Sequence, residues 1–180
     1  VYSDHRGYFF ESHQSTIFFQ NNFPHFYQDN VSISNKRVLR GLHFQKSPFS
    51  QGKLVQVLHG RVLNVSVDLR KNSPTYGRYF STILTSPDNR NHRMIYIPEN
   101  FAHGFLSLED NTIFLYKCTK TYNKESESGI IWNDPNLNIN WKLSEFGLKE
   151  EDLIISEKDR ALYNLKDIKC RLVLFIEYHI

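Results

Sequence analysis

Residues 61–70, RVLNVSVDLR, alternate without a break: Leu63, Val65, Val67 and Leu69 fall on one side of an extended chain, and Val62, Asn64, Ser66 and Asp68 on the other. A period of two over that length specifies a strand, with one face expected to pack and the other to carry polar groups. Comparable runs recur at short intervals, at 53–58, 79–85, 92–97, 103–108 and 111–119, separated by Gly, Pro and Asp-Asn. Many closely spaced strands with such turns fold as a sandwich or barrel. Glycine admits positive φ, so His59-Gly60 is read as a hairpin turn joining 53–58 to 61–70. In 111–119, Phe114, Tyr116 and Cys118 share a face. Helical patterning is weak: 11–23 suits a short surface helix, and 156–165 opens on Ser156, an N-cap residue followed by acidic ones. With 180 residues, 14 Phe and 10 Tyr, the chain is read as one all-β domain able to bury a substantial core.

Charge and cysteine content narrow the class of partner. A net charge of +3, carried by scattered Lys and Arg, suits an anionic ligand and falls short of a nucleic-acid footprint. No nucleic-acid partner is expected. Cys118 and Cys170 have no short-spaced cysteine partner, so a reducing compartment, the cytoplasm, is expected and neither is read as a metal ligand. No signal peptide or bilayer-length apolar run is read, so no membrane association is expected. The apolar tail RLVLFIEYHI, 171–180, is read as a terminal strand covering a sheet edge. The chain opens on Val1 and not on methionine, and residues ahead of it are expected to be missing.

Candidate chemistry centres on His43, in the strand-like run RVLRGLHFQ. A divalent ion needs three or four converging donors, and small β-barrels usually supply a His-x-His pair with a following carboxylate. Here Gln45 stands two residues after His43, and only His103 could converge with it. No metal and no cofactor are expected. A lone imidazole suits proton transfer near neutral pH. Arg40, Lys53 and the inward Tyr116 add a cation and a phenol, which complete the parts needed to take a proton from a carbon beside a carbonyl, stabilise the enolate and return the proton. Taken singly, His43 also fits a core histidine, Lys53 a solvated strand end and Tyr116 an ordinary barrel aromatic. Arg6 and Arg40 could fork onto a diphosphate or pair with carboxylates.

Nine motifs, in order, carry a resemblance: DHRGYFFE (4–11), QDN (28–30), RGLHFQ (40–45), QGKLV (51–55), VDLRKNSPTYG (67–77), IPENFAHGF (97–105), LYK (115–117), WNDP (132–135) and SEKD (156–159). Together they resemble the dTDP-4-dehydrorhamnose 3,5-epimerase family over about residues 4–162. The resemblance implies a cupin-type jelly-roll barrel over 1–162, with 163–180 a tail of unknown role packing on or beside it. It implies 3,5-epimerisation of dTDP-4-dehydro-6-deoxy-D-glucose to dTDP-4-dehydro-L-rhamnose, in L-rhamnose and polysaccharide biosynthesis, by a homodimer whose N-terminal material is exchanged. His43 is then the proton acceptor, Tyr116 the donor on the opposite face of the sugar, Asp159 the partner that orients His43, and Lys53 the enolate-stabilising cation. Arg6, Glu11, Gln28, Asp29, Asn30, Arg40, His103, Glu127 and Lys158 hold the nucleotide sugar, with Tyr122 stacked on thymine.

Three positions depart from the family pattern. Asn64 stands where an aspartate is usual, which should leave His103 harder to protonate. Thr121 replaces a second tyrosine, and Asn100 replaces a glycine whose left-handed conformation asparagine tolerates. Alternatives to the implied reaction are an epimerase of another nucleotide-linked 4-keto-6-deoxy sugar, acting at one centre or two, and a non-catalytic nucleotide-sugar-binding cupin. A mere binder has no need of a base and an acid together.

Overall fold

The computed structural model describes residues 1–88 and 92–168. Its strands are β1 (Tyr2–Asp4), β2 (Gly7–Phe9), β3 (Gln28–Ser34), β4 (Leu39–Gln45), β5 (Lys53–His59), β6 (Arg61–Asp68), β7 (Tyr79–Thr85), β8 (Ile95–Ile97), β9 (Phe101–Ser107), β10 (Thr112–Cys118) and β11 (Glu127–Gly129). Two short helices, α1 (Ser15–Gln20) and α2 (Glu157–Arg160), complete the regular elements used below. β1 and β2 form a separate hairpin, while the rest make two antiparallel sheets, ordered β3-β10-β5-β8 and β11-β4-β9-β6-β7. This is the all-β, cupin-type jelly roll that the strand runs and motifs imply.

The turn at His59-Gly60 exists, and Gly60 takes φ +83°, but it makes no hairpin. β5 and β6 belong to different sheets, so the chain turns a corner there and each strand pairs with partners remote in sequence. Thr112 lies so close that a Cβ on Gly60 would meet its backbone and side chain. The corner therefore requires glycine for space as well as for φ.

β6 also differs from expectation, because both its faces are buried. Val62 joins a cluster between the sheets with Val55, Val57, Leu84, Ile97, Phe105 and Phe114. Leu63, Val65 and Val67 pack outward under residues 130–168, through Trp132, Trp141, Leu153 and Leu165 among others. Each such side chain removed from water contributes about 1.5–3 kcal/mol before entropy is counted. The polar residues of β6 are equally enclosed, and Asn64 and Asp68 are buried. The inner space is thus filled with carbon at one end and lined with polar groups at the other.

The covering segment is tied down by Asp134, whose carboxylate accepts from the backbone N–H groups of Asn136, Leu137 and Leu165 at 2.7, 2.9 and 2.6 Å. Residues 163–168 belong to this same layer, since Leu165 and Ile168 sit in its core and Tyr163 bridges Ile130. The terminal strand read over 171–180, and Cys170, lie outside the described residues. The helix read over 11–23 is confined to α1; that over 156–165 begins as α2, where Ser156 Oγ accepts from Asp159 N. Asn100 takes φ +64°, the left-handed conformation expected of it.

Candidate active site

The open end of the barrel holds two adjoining compartments of about 300 and 290 Å³ that share His43, Lys53 and Tyr116. Each of these comes from a different strand, β4, β5 and β10, and the sheet registers bring them together. Tyr116 lies across from Asn30 on one side and Val55 on the other, so it points inward between β3 and β5. His43 lies opposite His103 across the β4–β9 ladder, just after an irregularity in that ladder.

The irregularity has a physical cause in two glycines. A Cβ on Gly41 would fall 2.6 Å from Gly104 Cα, and one on Gly104 would fall 2.6 Å from the Arg40 carbonyl oxygen. The two backbones pack at a separation that no larger residue allows, and Gly41 has φ +115°. This turns the Gly41 N–H toward Asp159, whose Oδ2 accepts it at 3.1 Å. Gly41 thereby joins the site through its backbone, a role that the positive φ and close approach explain and that side-chain chemistry could not signal.

Asp159 stands on α2 and lies 2.7 Å from His43 Nε2 through its other oxygen, Oδ1. Burial opposes its ionisation, yet the His43 hydrogen bond, the Gly41 N–H and nearby Lys158 outweigh burial and hold the carboxyl below its ordinary range. An ionised carboxylate only accepts, so His43 donates from Nε2, and in the neutral ring the free lone pair is on Nδ1.

Lys53 is buried, with Nζ 5.9 Å from the centre of the Tyr116 ring. Burial pushes the ammonium down from its usual range, against the opposing pull of Cys118 and Glu127. Burial likewise pushes the Tyr116 phenol up, so it remains a proton donor at neutral pH. His103, also buried, meets Asn64 Oδ1 at 2.8 Å through Nε2. Burial, then Lys53 and His43, push it well below the usual histidine range. Among the described residues no group of three His, Cys, Asp or Glu side chains is arranged to hold a metal ion.

Of the remaining residues singled out in the sequence, six fall into two groups and three into neither. Arg40 and Lys158 line the compartment that holds His103 and Asp159; Gln28, Asn30, Tyr122 and Glu127 line the other. Glu127 joins the second group to α2, accepting from the Tyr122 hydroxyl at 3.0 Å and from Lys158 Nζ at 2.7 Å. Gln28 Oε1 accepts from Tyr122 N, which fixes the ring-bearing loop to β3. Asp29, by contrast, points to the outer face of β3 and pairs with Lys117 at 2.6 Å. Arg6 lies on the β1–β2 hairpin, paired with Asp4, beside a separate hollow. Glu11 is exposed between β2 and α1. Within one chain, neither Arg6 nor Glu11 lines either compartment. Ser32 lines the first compartment and Gln51 the second, and neither was singled out in the sequence. Their inward positions on β3 and just before β5 were the available signal.

A model of the family described as dTDP-4-dehydrorhamnose 3,5-epimerase matches residues 1–167. The chain belongs to that family. A dTDP-4-dehydrorhamnose 3,5-epimerase of Methanothermobacter thermautotrophicus is 51% identical over 168 residues, which cover 93% of this chain and 86% of the relative. Among solved structures, a dTDP-6-deoxy-D-glucose-3,5-epimerase of Legionella pneumophila in complex with dTDP-4-keto-L-rhamnose superposes with a TM-score of 0.84. It is 44% identical, and the match covers 95% of this chain and 87% of that one. A 3'-monoepimerase of Streptomyces bikiniensis, solved with dTDP-quinovose, has a TM-score of 0.82 at 31% identity, covering 96% and 83% of the two chains. Both solved structures thus share this barrel over more than nine-tenths of the chain.

Proposed function

We propose that this chain inverts carbons 3 and 5 of dTDP-4-dehydro-6-deoxy-D-glucose, giving dTDP-4-dehydro-L-rhamnose, the step that supplies L-rhamnose for polysaccharide synthesis in the cytoplasm. The observation that carries this reading is the convergence of the His43–Asp159 pair, Tyr116 and Lys53 on one cleft of the barrel. Both carbons lie beside the C4 ketone, so a base at His43 Nδ1 can remove each C–H proton in turn to form an enolate. Lys53 stabilises the charge that develops on O4, where a buried cation acts more strongly than it would in water. Tyr116 delivers a proton to the other face of the ring and inverts the centre. No electron or group is transferred, and the base and acid exchange their protons with solvent between steps.

The long cleft suits a nucleotide sugar. Arg40 and Lys158 provide positive charge for a diphosphate, and Tyr122, with Gln28 and Asn30 nearby, offers a ring face and amides for the base. The relatives at 51% and 44% identity carry the 3,5-epimerase name, which favours two centres over one. Purified protein is expected to convert dTDP-4-keto-6-deoxy-D-glucose to the L-rhamno product, followed by proton NMR, and to leave the GDP-linked counterpart unchanged. Conversion of the GDP sugar alone, or inversion at carbon 3 only, contradicts this assignment.

The functional unit is a homodimer. The outer face of the edge strand β3 exposes Val31 and Ile33, 58% and 64% accessible, and the β1–β2 hairpin exposes Phe9 at 66%. Apolar surface of this kind next to an unpaired edge favours strand exchange with a second copy. Arg6 and Glu11, remote from the cleft of their own chain, then serve the partner's cleft. Light scattering is expected to give twice the 21.3 kDa chain mass; a monomer that retains full turnover rules out exchange.

A further inference from the structure

Asn64 is fully buried on the inner face of β6, and its Oδ1 holds His103 Nε2 at 2.8 Å. Its other amide atom, Nδ2, has no hydrogen-bond partner among the described residues. A buried donor left in that state is destabilising. Packing alone does not require an amide here, since Val62, two residues earlier on the same face, is carbon only. Retaining an uncompensated amide against a single imidazole assigns a task to its oxygen.

Charged and titratable groups reach His103 from each neighbouring element. β4 contributes His43, backed by Asp159 from α2, and Arg40; β5 contributes Lys53; β10 contributes Tyr116. On β6 itself, Ser66 lies directly across from His103, and Asp68, two residues further along, is tied to Arg70. Each nearby cation makes a charged His103 ring costlier, as does its burial. An aspartate at 64 has the same shape and would oppose all of them. The neutral amide oxygen accepts one N–H without offering the full charge that would stabilise an imidazolium.

We infer that Asn64 is a positioning residue that holds His103 as a neutral ring with its proton on Nε2, leaving Nδ1 as a fixed acceptor in the cleft. Two consequences follow for catalysis, and both rest on the epimerase reading above. Positive charge stays off the ring beside Lys53, so the lysine is not driven further toward its neutral form. His103 then adds no ionisation of its own to the pH dependence of the reaction.

Ring-nitrogen NMR on isotopically labelled protein tests this without turnover, so an inactive enzyme leaves the outcome readable. The His103 signals, assigned by their loss in His103→Gln, are expected to show the Nε2–H tautomer with no titration between about pH 5 and 8. Asn64→Asp is expected to raise the titration of His103 by on the order of one to three pH units. The same variant should add an ionisation to the pH profile of kcat/KM that the wild type lacks. A wild-type ring protonated on Nδ1, which the reversed amide orientation would produce, overturns the inference. So does a wild-type His103 that titrates in this range, or a folded Asn64→Asp protein whose His103 and pH profile are unchanged. If Asn64→Asp does not fold, the wild-type tautomer and titration alone decide.

Discussion

His43→Ala is expected to lower kcat for epimerisation by about 10² to 10⁴, the usual contribution of a positioned base. Lys53→Ala should cost about 10² to 10³, the contribution of one donor to a developing oxyanion. The order follows from the chemistry: without a base no enolate forms, whereas without Lys53 an enolate forms against a higher barrier. Removing His43 also strips Asp159, 4% exposed in the wild-type protein, of its main side-chain partner and leaves it the bond from Gly41 N. An uncompensated buried charge destabilises by about 3–5 kcal/mol, so folding must be followed in parallel by circular dichroism. His43→Asn, which keeps a polar group near Asp159, separates the two effects. Steady-state rates for the folded variants provide the check, and equal losses, or a larger loss for Lys53→Ala, contradict the assigned roles.

Tyr116→Phe should separate two events that the wild-type enzyme couples. With the phenol gone, His43 can still take a proton from the sugar and return it to the same face. Epimerisation is therefore expected to fall by about 10² to 10⁴, while exchange of the C–H proton with solvent continues without inversion. Tyr116 packs near Phe114 and the core between the sheets, and phenylalanine preserves that packing. Mass spectrometry of recovered substrate, paired with product NMR, distinguishes the outcomes. A parallel loss of exchange and inversion would show that Tyr116 is needed for proton removal itself and is not the opposing donor.

Much of the barrel is legible in local sequence, and the reasons differ from strand to strand. β7 was read at Tyr79–Thr85, where it lies, because a β-branched and aromatic run ends at turn residues on both sides. β6 was also recognisable, but the burial of both its faces was not. Its outer cover comes from residues 130–168, which contain few regular elements and so have no period to read. The corner at Gly60 carried the correct local signal, positive φ, and misled about pairing. Turn chemistry does not specify which sheet the next strand joins, and here long-range ladders with β10 and β9 decide.

The same distinction applies to the cleft. Tyr116 was identified as inward from alternation alone, and Lys53 stood at the head of a strand. The bond between His43 and Asp159 spans 116 positions, a separation that no periodicity encodes; only the SEKD motif linked them. Asp29 was grouped with Gln28 and Asn30 by the QDN motif, although strand geometry turns its side chain to the opposite face. Arg6 illustrates a further limit: the DHRGYFFE motif grouped it with the cleft, whereas in its own chain it pairs with Asp4 on the β1–β2 hairpin.

The most direct measurement is incubation of the wild-type protein with dTDP-4-keto-6-deoxy-D-glucose in heavy water, with deuterium followed at each sugar carbon. Removal and return of protons by His43 and Tyr116 predicts deuterium at carbons 3 and 5 of the L-rhamno product and at no other ring carbon. Product formed with the original hydrogen retained at either carbon, or tight binding with no incorporation at all, would contradict it.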